Sequence, residues 1–363
     1  MLKLSDRKWK EFKIENVFCV GGTITTKPQV LIAKGNTPRV TCAAVNNGLD
    51  GLYNNASTEE KGVITIDSAT IGSVFYQPYD FIATDHVEKL RLKNRYMNRY
   101  IGLFLKSAID KAKGTKYDYG YKFSQTRIKR QTFKLPIDKN ENIDYDFMEQ
   151  FIKEREETKR KEYLEYVKVK MNEIKTTIRK TNGGGVANIS YKAFAIKDIF
   201  TECERGRRLI KDNQIIGNTP YISSTAMNNG VDSFIGNKEG VRVFKNCLSL
   251  ANSGSVGSCF YEPFEFIASD HITHLKNEKL NSYHYLFIAT VLNRLSEKYN
   301  FNREISDKRI EKEKVILPQK NNNIDYDFCE NIIKSKMSLK YCDYIIYCEN
   351  RIKRGSHSSP VRS

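Results

Sequence analysis

Residues 72–86 read Gly-Ser-Val-Phe-Tyr-Gln-Pro-Tyr-Asp-Phe-Ile-Ala-Thr-Asp-His, and residues 257–271 read Gly-Ser-Cys-Phe-Tyr-Glu-Pro-Phe-Glu-Phe-Ile-Ala-Ser-Asp-His. The second stretch repeats the first 185 residues further along the chain. This repeat decides the fold, because it predicts two copies of one structural unit. Copies of roughly 180 residues are too long and too few for a solenoid. We therefore expect two similar domains related by a pseudo-twofold axis.

Other matches in the same order extend the repeat over nearly the whole chain. The matched segments are residues 9–18 with 191–200, Gly35-Asn36-Thr37-Pro38 with Gly217-Asn218-Thr219-Pro220, Asn46-Asn47-Gly48 with Asn228-Asn229-Gly230, and Asn142–Phe147 with Asn323–Phe328. The first three of these pairs lie 182 residues apart. The second copy therefore carries three extra residues before Gly257 and loses them again before Ile310.

The composition indicates a packed and strongly basic protein. A length of 363 residues predicts two or three domains, and a hydrophobic content of 40% is enough for packed cores. The formal charge of +17 favours nucleic acid as a partner, although charge of this size can also serve solubility alone. We expect a cytoplasmic protein, because the sequence has no long apolar run and no signal core near Met1. The eight cysteines form no Cys-x-x-Cys pair and are interpreted as reduced core residues.

Each copy mixes predicted strands with a helix, which favours an α+β fold. The predicted strands are Val63–Ile66 and Ser73–Tyr76 in the first copy, with Val241–Phe244 and Cys259–Tyr261 as their counterparts. The predicted helices are Asn98–Lys111 and Ser282–Lys298, and a short strand after each helix ends at Leu135-Pro136 or Leu317-Pro318.

A long helix is predicted after each copy. Leu164, Val167, Met171, Ile174 and Ile178 step by three and four residues, as do Tyr341, Ile345, Cys348 and Ile352, so each helix carries a heptad seam. We expect the two helices to form an antiparallel coiled coil that holds the two α+β domains apart. At ~1.5 Å per residue, the first helix is a spacer of about 54 Å. The alternative is that each helix packs separately on its own domain.

The predicted divisions of the chain follow from these patterns. They are a first domain at 1–143, a central spacer helix at 144–182, a second domain at 183–323, a C-terminal spacer helix at 324–354 and a disordered tail at 355–363. The stretch Thr181–Gly185 is expected to end the first helix and to act as a flexible link.

These motifs resemble the specificity subunits of type I restriction–modification systems. The residues that carry the resemblance, in both copies, are Gly-x-Thr-Pro, Asn-Asn-Gly and the Gly-Ser-x-x-Phe-Tyr block that ends in Asp-His; it covers about residues 8–354. Leu135–Asp138, followed by Asp144–Glu149, is also similar to the related type IIB specificity subunits. The chain lacks the Glu-Gln-x-x-Ile helix start of many type I members, which leaves the type of system open.

The resemblance implies a non-catalytic DNA-binding subunit. Each copy would be a target-recognition domain that reads half of a split, asymmetric target on double-stranded DNA. The helices would dock DNA adenine methyltransferase (modification) subunits, two in number, and restriction subunits would be further partners. S-adenosylmethionine would bind to the methyltransferase partner, and this chain would hold neither a cofactor nor a metal. The helix residues predicted to dock the partner are Leu164, Val167, Met171, Ile174, Tyr341, Ile345, Cys348 and Ile352.

Sequence readers require Arg, Lys, Asn and Gln side chains that reach base edges, with other basic groups on phosphates. We expect the readers where the two copies differ, because different half-sites need different side chains on one scaffold. The candidates are Lys34, Arg39, Lys116, Tyr119, Lys122, Gln125 and Arg127 in the first copy and Arg205, Arg207, Arg208, Asn300, Asn302, Arg303, Lys308 and Arg309 in the second. The alternative is that these are solvated surface charges.

The main competing function is a self-contained DNA methyltransferase or nuclease with duplicated domains. Asn218-Thr219-Pro220-Tyr221 resembles a methylation motif, but its counterpart ends in Arg39 and no glycine-rich loop for S-adenosylmethionine precedes either copy. Asp85-His86 and Asp270-His271 suggest a metal or general-base site, but no third ligand lies at a suitable spacing, so a structural hydrogen bond to the backbone is expected. A third hypothesis is a protein scaffold with incidental basic charge, which predicts DNA binding without sequence preference.

Overall fold

A computed structural model describes residues 1–178, 189–300 and 302–356. The chain divides into two compact units, Met1–Tyr163 and Leu164–Ser363, and the boundary falls within the long central helix. The predicted link Thr181–Gly185 and residues 357–363 of the predicted tail lie outside the described residues, as do the side chains of Ile178 and Ile352.

The first unit mixes short strands and helices. Its strands are β1 (Lys8–Lys13), β2 (Phe18–Gly22), β3 (Thr37–Val40), β4 (Leu49–Tyr53), β5 (Val63–Asp67), β6 (Val74–Gln77), β7 (Ile82–Ala83), β8 (Val87–Leu92) and β9 (Thr132–Ile137). Its helices are α1 (Ile14–Val17), α2 (Arg99–Lys113), α3 (Gln125–Arg130) and α4 (Tyr145–Ile178), the last of which continues into the second unit.

The strands of the first unit form three sheets. β2, β8, β5 and β6 form a four-stranded sheet in that order, β4, β3 and β7 form a smaller sheet, and β1 pairs with β9. The predicted strands Val63–Ile66 and Ser73–Tyr76 are confirmed as β5 and β6, which pair antiparallel with Thr65 opposite Phe75.

Helix α2 packs on the four-stranded sheet and closes the main core of the first unit. Asn98 caps the helix by accepting hydrogen bonds from the backbone N–H groups of Tyr100 and Ile101. The buried face of the helix, spaced by three and four residues, consists of Ile101, Phe104, Leu105 and Ile109. The start of α4 packs against the same core through Phe147 and Met148.

The second unit repeats this order of elements. Its strands are β10 (Ser190–Ala195), β11 (Glu202–Arg205), β12 (Ile216–Ile222), β13 (Val231–Ile235), β14 (Val243–Phe244), β15 (Cys247–Ala251), β16 (Cys259–Glu262), β17 (Phe266–Ala268), β18 (Ile272–Lys276), β19 (Lys314–Lys320) and β20 (Asn323–Ile324). Its helices are α5 (Ile196–Ile199), α6 (Ser282–Leu292), α7 (Asp307–Lys312) and α8 (Tyr326–Ser356), so α8 extends two residues into the predicted tail.

The sheets of the second unit match those of the first. The order β11-β18-β15-β16 corresponds to β2-β8-β5-β6, while β13-β12-β17 corresponds to β4-β3-β7 with β14 added at the edge. β10 pairs with β19 as β1 pairs with β9. Asn281 caps α6 as Asn98 caps α2, by accepting from the backbone N–H groups of Tyr283 and His284. Two α+β units of one topology are therefore confirmed.

One strand assignment in the second copy is wrong. Val241–Phe244 was expected to match Val63–Ile66, but that place is taken by β15, and Val243–Phe244 forms the edge strand β14 paired with β17. Every residue of β15 is buried, and its sequence Cys-Leu-Ser-Leu-Ala shows neither an alternating pattern nor the β-branched residues that favour a strand. The predicted helix Ser282–Lys298 is also shorter, since α6 ends at Leu292 and a 3-10 turn, Asn293–Glu297, follows.

The motifs that match best between the copies form tight backbone features. Asn46, Asn47 and Gly48 have φ angles of 51°, 57° and 76°, and Asn228, Asn229 and Gly230 have 49°, 52° and 79°. Asn and Gly tolerate this left-handed region better than other residues do. Gly35 and Gly217 lie against the backbone of Tyr53 and Gly236, where a Cβ would collide.

The long helices contact each other within the second unit. Val167, Met171 and Ile174 of α4 form a buried cluster with Tyr341 of α8. The half-buried side chains packed against this cluster are Met337, Tyr344 and Ile345. The predicted seam residues of the two helices thus meet one another.

Candidate nucleic-acid interface

Each unit carries a loop in front of a short helix. In the first unit, residues 116–124 (the first loop) join α2 to α3, and Gly114, with a φ of 52°, ends α2. In the second unit, residues 298–306 (the second loop) lie between the turn that follows α6 and α7. These two loops contain many of the predicted DNA-binding residues, so their geometry determines which side chains the units offer to DNA.

Each loop has a backbone hydrogen bond that spans four residues, and the second loop adds the reverse bond, from Arg303 N to Asn300 O at 2.9 Å. Asp118 N donates to Tyr121 O at 3.3 Å, and Asn300 N donates to Arg303 O at 3.3 Å. The first side chain of each turn also accepts a backbone N–H: Asp118 Oδ1 from Tyr121 at 2.7 Å and Asn300 Oδ1 from Asn302 at 3.0 Å. Asp and Asn favour such turns because their short side chains reach the backbone a few residues ahead.

An arginine of the following short helix holds each loop in place. Arg127 Nη1 donates to Lys122 O at 2.6 Å, five residues earlier in the chain. Arg309 Nη1 donates to Glu304 O, again five residues earlier. The guanidinium carbon of Arg127 lies 3.8 Å from the ring centroid of Tyr121. Both arginines therefore fix the backbone beside the turn.

A buried tyrosine anchors the start of each loop. Tyr117 stacks on Phe123 with ring centroids 4.1 Å apart, and its hydroxyl donates to Gln131 Oε1 at 2.9 Å. Tyr299 takes the same place in the second loop, and its hydroxyl donates to Glu313 Oε2. Gln131 and Glu313 also occupy matching positions, one residue before the strands β9 and β19.

The Glu313 carboxylate anchors the second loop through an ion pair with Lys298. Lys298 Nζ donates to both of its oxygens at 2.8 Å. Burial acts to raise the pKa of Glu313, but the hydrogen bonds from Lys298 and Tyr299 outweigh burial and lower the pKa below its usual value. This carboxylate therefore stays charged at neutral pH and holds the base of the loop.

The two loops share a frame and differ at its centre. Lys-Tyr-Asp-Tyr at 116–119 corresponds to Lys-Tyr-Asn-Phe at 298–301, and Phe-Ser-Gln-Thr-Arg-Ile at 123–128 corresponds to Ile-Ser-Asp-Lys-Arg-Ile at 305–310. Between these segments, Gly120-Tyr121-Lys122 stands opposite Asn302-Arg303-Glu304, with no similarity at any of the three positions. We call each set of three residues the tip of its loop.

The tips lie at the surface. Tyr121 is 44% exposed and Lys122 is half-buried, while all three residues of the second tip are exposed. Next to the first tip, Tyr119 is 78% exposed, and Lys122 Nζ lies 5.2 Å from its ring centroid. An exposed ring beside a cation can stack on a base or approach a phosphate.

The other predicted DNA contacts fall into two groups. The exposed ones are Lys34, Lys116, Arg207, Arg208 and Lys308. Gln125 and Arg205 instead make contacts inside their own units, since Gln125 Nε2 donates to Glu88 Oε2 at 2.8 Å and Arg205 Nη2 donates to Ile305 O of the second loop at 3.1 Å.

Arg39 lies in the core of the small sheet and not at the surface. It is 7% exposed, its Nη1 pairs with Asp50 Oδ2 at 2.5 Å, and its Nη2 donates to Thr26 O at 3.3 Å. A buried guanidinium needs such partners because leaving water is costly. This position corrects the assignment of Arg39 as a surface contact with DNA.

The predicted partner-docking residues are mostly buried inside the chain. Buried are Val167, Met171, Ile174, Tyr341 and Cys348, whereas Leu164 and Ile345 are half-buried. The first four form the contact between the helices. Buried side chains offer no surface to another protein, so the five buried residues do not fit a dock, whereas Leu164 and Ile345 keep part of their surface.

Tyr121 and Glu304 are exposed loop residues that the sequence analysis did not single out. The signal that identifies Tyr121 is its alignment with Arg303, and the signal for Glu304 is its alignment with Lys122, in each case a residue of different chemistry.

The repeated Asp-His pairs occupy turns. The Ser68 hydroxyl donates to the backbone O of His86 at 2.9 Å, whereas His271 Nδ1 contacts the Ser253 hydroxyl at 2.6 Å. In the described part of the chain, no group of three or more His, Cys, Asp or Glu residues is placed to hold a metal ion. No helix among the described residues combines the length and the apolar character needed to span a membrane.

The two units present different side chains from matching loops. This arrangement defines a class of protein with two related but unequal binding surfaces. Comparison with known families identifies the class further. The model of the family described as "Type I restriction modification DNA specificity domain" matches residues 6–166 and 188–341. The chain belongs to this family, whose members confer DNA sequence specificity on restriction–modification systems, and each of its units corresponds to one match.

Individual relatives span nearly the whole chain. The specificity subunit S.BcgI of a type II restriction enzyme from Heyndrickxia coagulans is 28% identical over 333 residues, which cover 89% of this chain and 93% of the relative. Among solved structures, the S subunit of a type I restriction–modification system from M. genitalium covers 98% of this chain and 96% of its own, with 14% identity and a TM-score of 0.43. The HsdS subunit from Thermoanaerobacter tengcongensis gives 10% identity and a TM-score of 0.31, covering 93% of this chain and 90% of that one.

Proposed function

We propose that the two units read the two halves of one split, asymmetric DNA target while partner subunits carry out the chemistry. The observation that carries this proposal is the pair of loops, which hold different tip residues on one frame. When two matching loops approach the same DNA geometry but present different hydrogen-bond donors and acceptors, they recognise different bases. If both units approach one face of the duplex, the half-sites lie about 10 base pairs apart.

The two long helices are the proposed spacer between the half-site readers. Their contact through Val167, Met171, Ile174 and Tyr341 supports an antiparallel coiled coil, in which seams stepping by three and four residues face each other. Because that seam is buried, the dock for a modification subunit belongs on the outer side of the helices. The exposed apolar side chains of the two helices include Val169, Leu339, Ile346 and Tyr347.

The chemistry is assigned to the partners: two DNA adenine methyltransferase subunits that bind S-adenosylmethionine, with restriction subunits joining them. The Asn218–Tyr221 motif supports this division, because it lies in strand β12 and Tyr221 is 4% exposed. The Tyr221 hydroxyl donates to Leu209 O at 3.4 Å. A residue that holds a flipped base must be accessible to it, so a buried strand tyrosine does not fit a methylation motif. The eight cysteines are free thiols, which fits a cytoplasmic setting.

The direct test is to co-express the chain with a modification (adenine methyltransferase) subunit of such a system and to sequence methylated adenines in cellular DNA. We expect one interrupted motif whose halves differ. A continuous palindrome would contradict two unequal readers. The purified chain alone, given S-adenosylmethionine and DNA, should transfer no methyl groups, and turnover without a partner would favour the self-contained enzyme. Equal affinity for target and non-target DNA at moderate salt would favour the protein scaffold.

A further inference from the structure

We infer that the tip of each loop sets the identity of its half-site, and that Arg127 and Arg309 position the tips without reading bases. This inference rests on the proposed function and narrows it to three residues in each unit. The first tip is Gly120-Tyr121-Lys122 and the second is Asn302-Arg303-Glu304.

The case for the arginines as positioning residues is that both units place them alike. Each donates from Nη1 to a backbone carbonyl of its own loop, five residues earlier. A side chain that is the same residue in both units and makes the same hydrogen bond in both cannot by that bond distinguish two different half-sites. It can, however, fix the height and angle at which a tip meets the groove, and base contacts depend on that placement.

The case for the tips is that they are the consecutive loop positions without similarity between the copies, while both loops keep a backbone hydrogen bond from their third residue to their sixth. The 3.3 Å hydrogen bond that closes the turn ends on Tyr121 O in one unit and on Arg303 O in the other. The side chains change from a ring and an ammonium to an amide, a guanidinium and a carboxylate. A change of donors and acceptors at matching loop positions is what reading different bases requires.

The chemistry of the second tip also indicates which bases it suits. Asn pairs with the N6 and N7 atoms of adenine, Arg pairs with the O6 and N7 atoms of guanine, and Glu accepts from the N4 amine of cytosine. In the first tip, Lys122 is the residue that suits guanine, and Tyr121 offers an aromatic face. The second half-site is therefore expected to present adenine, guanine or cytosine edges in the major groove.

The test exchanges the tips in the full-length chain, assembled with its partner subunits. One variant carries Gly120→Asn, Tyr121→Arg and Lys122→Glu, and the reciprocal variant carries Asn302→Gly, Arg303→Tyr and Glu304→Lys. Position 120 has room for the asparagine, because a Cβ on Gly120 would meet only Asp118 Oδ1, at 3.4 Å. Methylated sites are sequenced in cells that carry each complex.

We expect the first variant to lose at least tenfold in methylation of the original target and to gain a target in which the second half-site replaces the first. The untouched second unit is an internal control, since retention of its half-site shows that the complex is assembled. The reciprocal variant should change only the second half-site. Retention of both original half-sites by either assembled variant would overturn the inference. If the unmodified complex shows no sequence preference, the proposed function itself fails.

A control exchange separates the tips from other positions that differ. Thr126→Lys places the second copy's lysine on the exposed surface of α3, outside the tip. It should leave the base preference unchanged. A change of target in this variant equal to that of the tip exchange would overturn the assignment of identity to the tips.

The arginines are tested with Arg127→Ala and Arg127→Lys. We expect the alanine variant to discriminate at least tenfold less among bases of the first half-site and to keep full discrimination at the second. The lysine variant should recover part of this loss, because it can still donate one hydrogen bond to Lys122 O. An equal loss of affinity for target and non-target DNA in the alanine variant, with full recovery by lysine, would instead show a phosphate contact and overturn the positioning role.

Discussion

Gln77 and Glu262 occupy the same position in the two units, but their hydrogen bonds differ. Gln77 Nε2 donates to Thr65 Oγ1 at 2.8 Å, and its Oε1 accepts from Asn47 Nδ2 at 3.1 Å. Glu262 Oε1 accepts from Ser249 Oγ at 2.9 Å, while its buried Oε2 has no hydrogen-bond partner among the described residues. The amide can donate and accept in the same buried place, whereas an ionised carboxylate can only accept.

This difference gives the second unit an ionisable group in its core. Burial raises the pKa of Glu262 to about 7, although the hydrogen bond from Ser249 acts to lower it. The first unit has an amide at this position, so nothing titrates there. The two copies therefore share a shape without sharing a dependence on pH.

The largest effect is expected for Glu262→Gln, which gives the second unit the residue of the first. Folding raises the pKa of the Glu262 carboxyl from 4.5 to about 7, so in the native state this carboxyl keeps its proton up to about pH 7. Its contribution to the free energy of unfolding is greatest below pH 4.5 and falls as the pH rises through 7. The variant should therefore gain up to about 3 kcal/mol over wild type at pH 8.5, and much less at pH 5.5. Urea unfolding at both pH values measures this difference.

The reciprocal variant Gln77→Glu is the matched control. It should move the same pH dependence into the first unit and destabilise that unit most at pH 8.5. A Glu262→Gln gain that is equal at both pH values would show that the stability difference arises from packing and not from ionisation.

The next largest contrast is expected between Asp50→Ala and Asp232→Ala. Asp50 pairs with the buried Arg39, but the matching partner of Asp232 is Tyr221, which is uncharged. Removing Asp50 leaves a buried guanidinium without its counter-ion and should cost about 2 kcal/mol, less than for a fully buried pair because the Asp50 side chain is 32% exposed. Asp232→Ala should stay within about 0.5 kcal/mol. Thermal unfolding of both variants measures the two losses of stability. Equal losses would show that the Arg39–Asp50 ion pair is not the cause.

The smallest effect is expected at the basic loop after β11. Arg207 and Arg208 are exposed, while their counterparts in the first unit are Thr25 and Thr26. The double alanine variant should bind target and non-target DNA about tenfold more weakly. The slope of log affinity against log salt concentration should become shallower by about one for each phosphate contact that is lost. Filter binding over a salt series measures both quantities. An unchanged salt slope would show that the loop lies away from the DNA.

The repeat predicted the architecture well because it marks backbone geometry. Asn46-Asn47-Gly48 and its copy are matched in sequence because three successive left-handed residues restrict what can stand there. The misplaced strand at Val241–Phe244 shows the limit of such patterns. A strand buried on both faces has no alternation to detect, and a β-branched edge strand nearby was the stronger signal.

The candidate site was only partly predictable, because charge does not say where a side chain points. Arg39 and Arg127 look alike in sequence as basic residues beside loops. The structure pairs one with Asp50 in the small sheet and sets the other against a backbone carbonyl. Lys122, Asn302 and Arg303 differ between the copies and are among the candidates, and the same rule would have added Tyr121 and Glu304.

The shared frame of the two loops also has an evolutionary consequence. Because the residues on either side of each tip match between the copies, a recombination event that copied one tip into the other half of the gene would leave the flanking residues of that loop alike. Such an event would convert an asymmetric target into one with two like half-sites in a single step. We expect a recombinant of this kind to remain folded and active, and sequencing the DNA that it methylates would show whether the new target is symmetric.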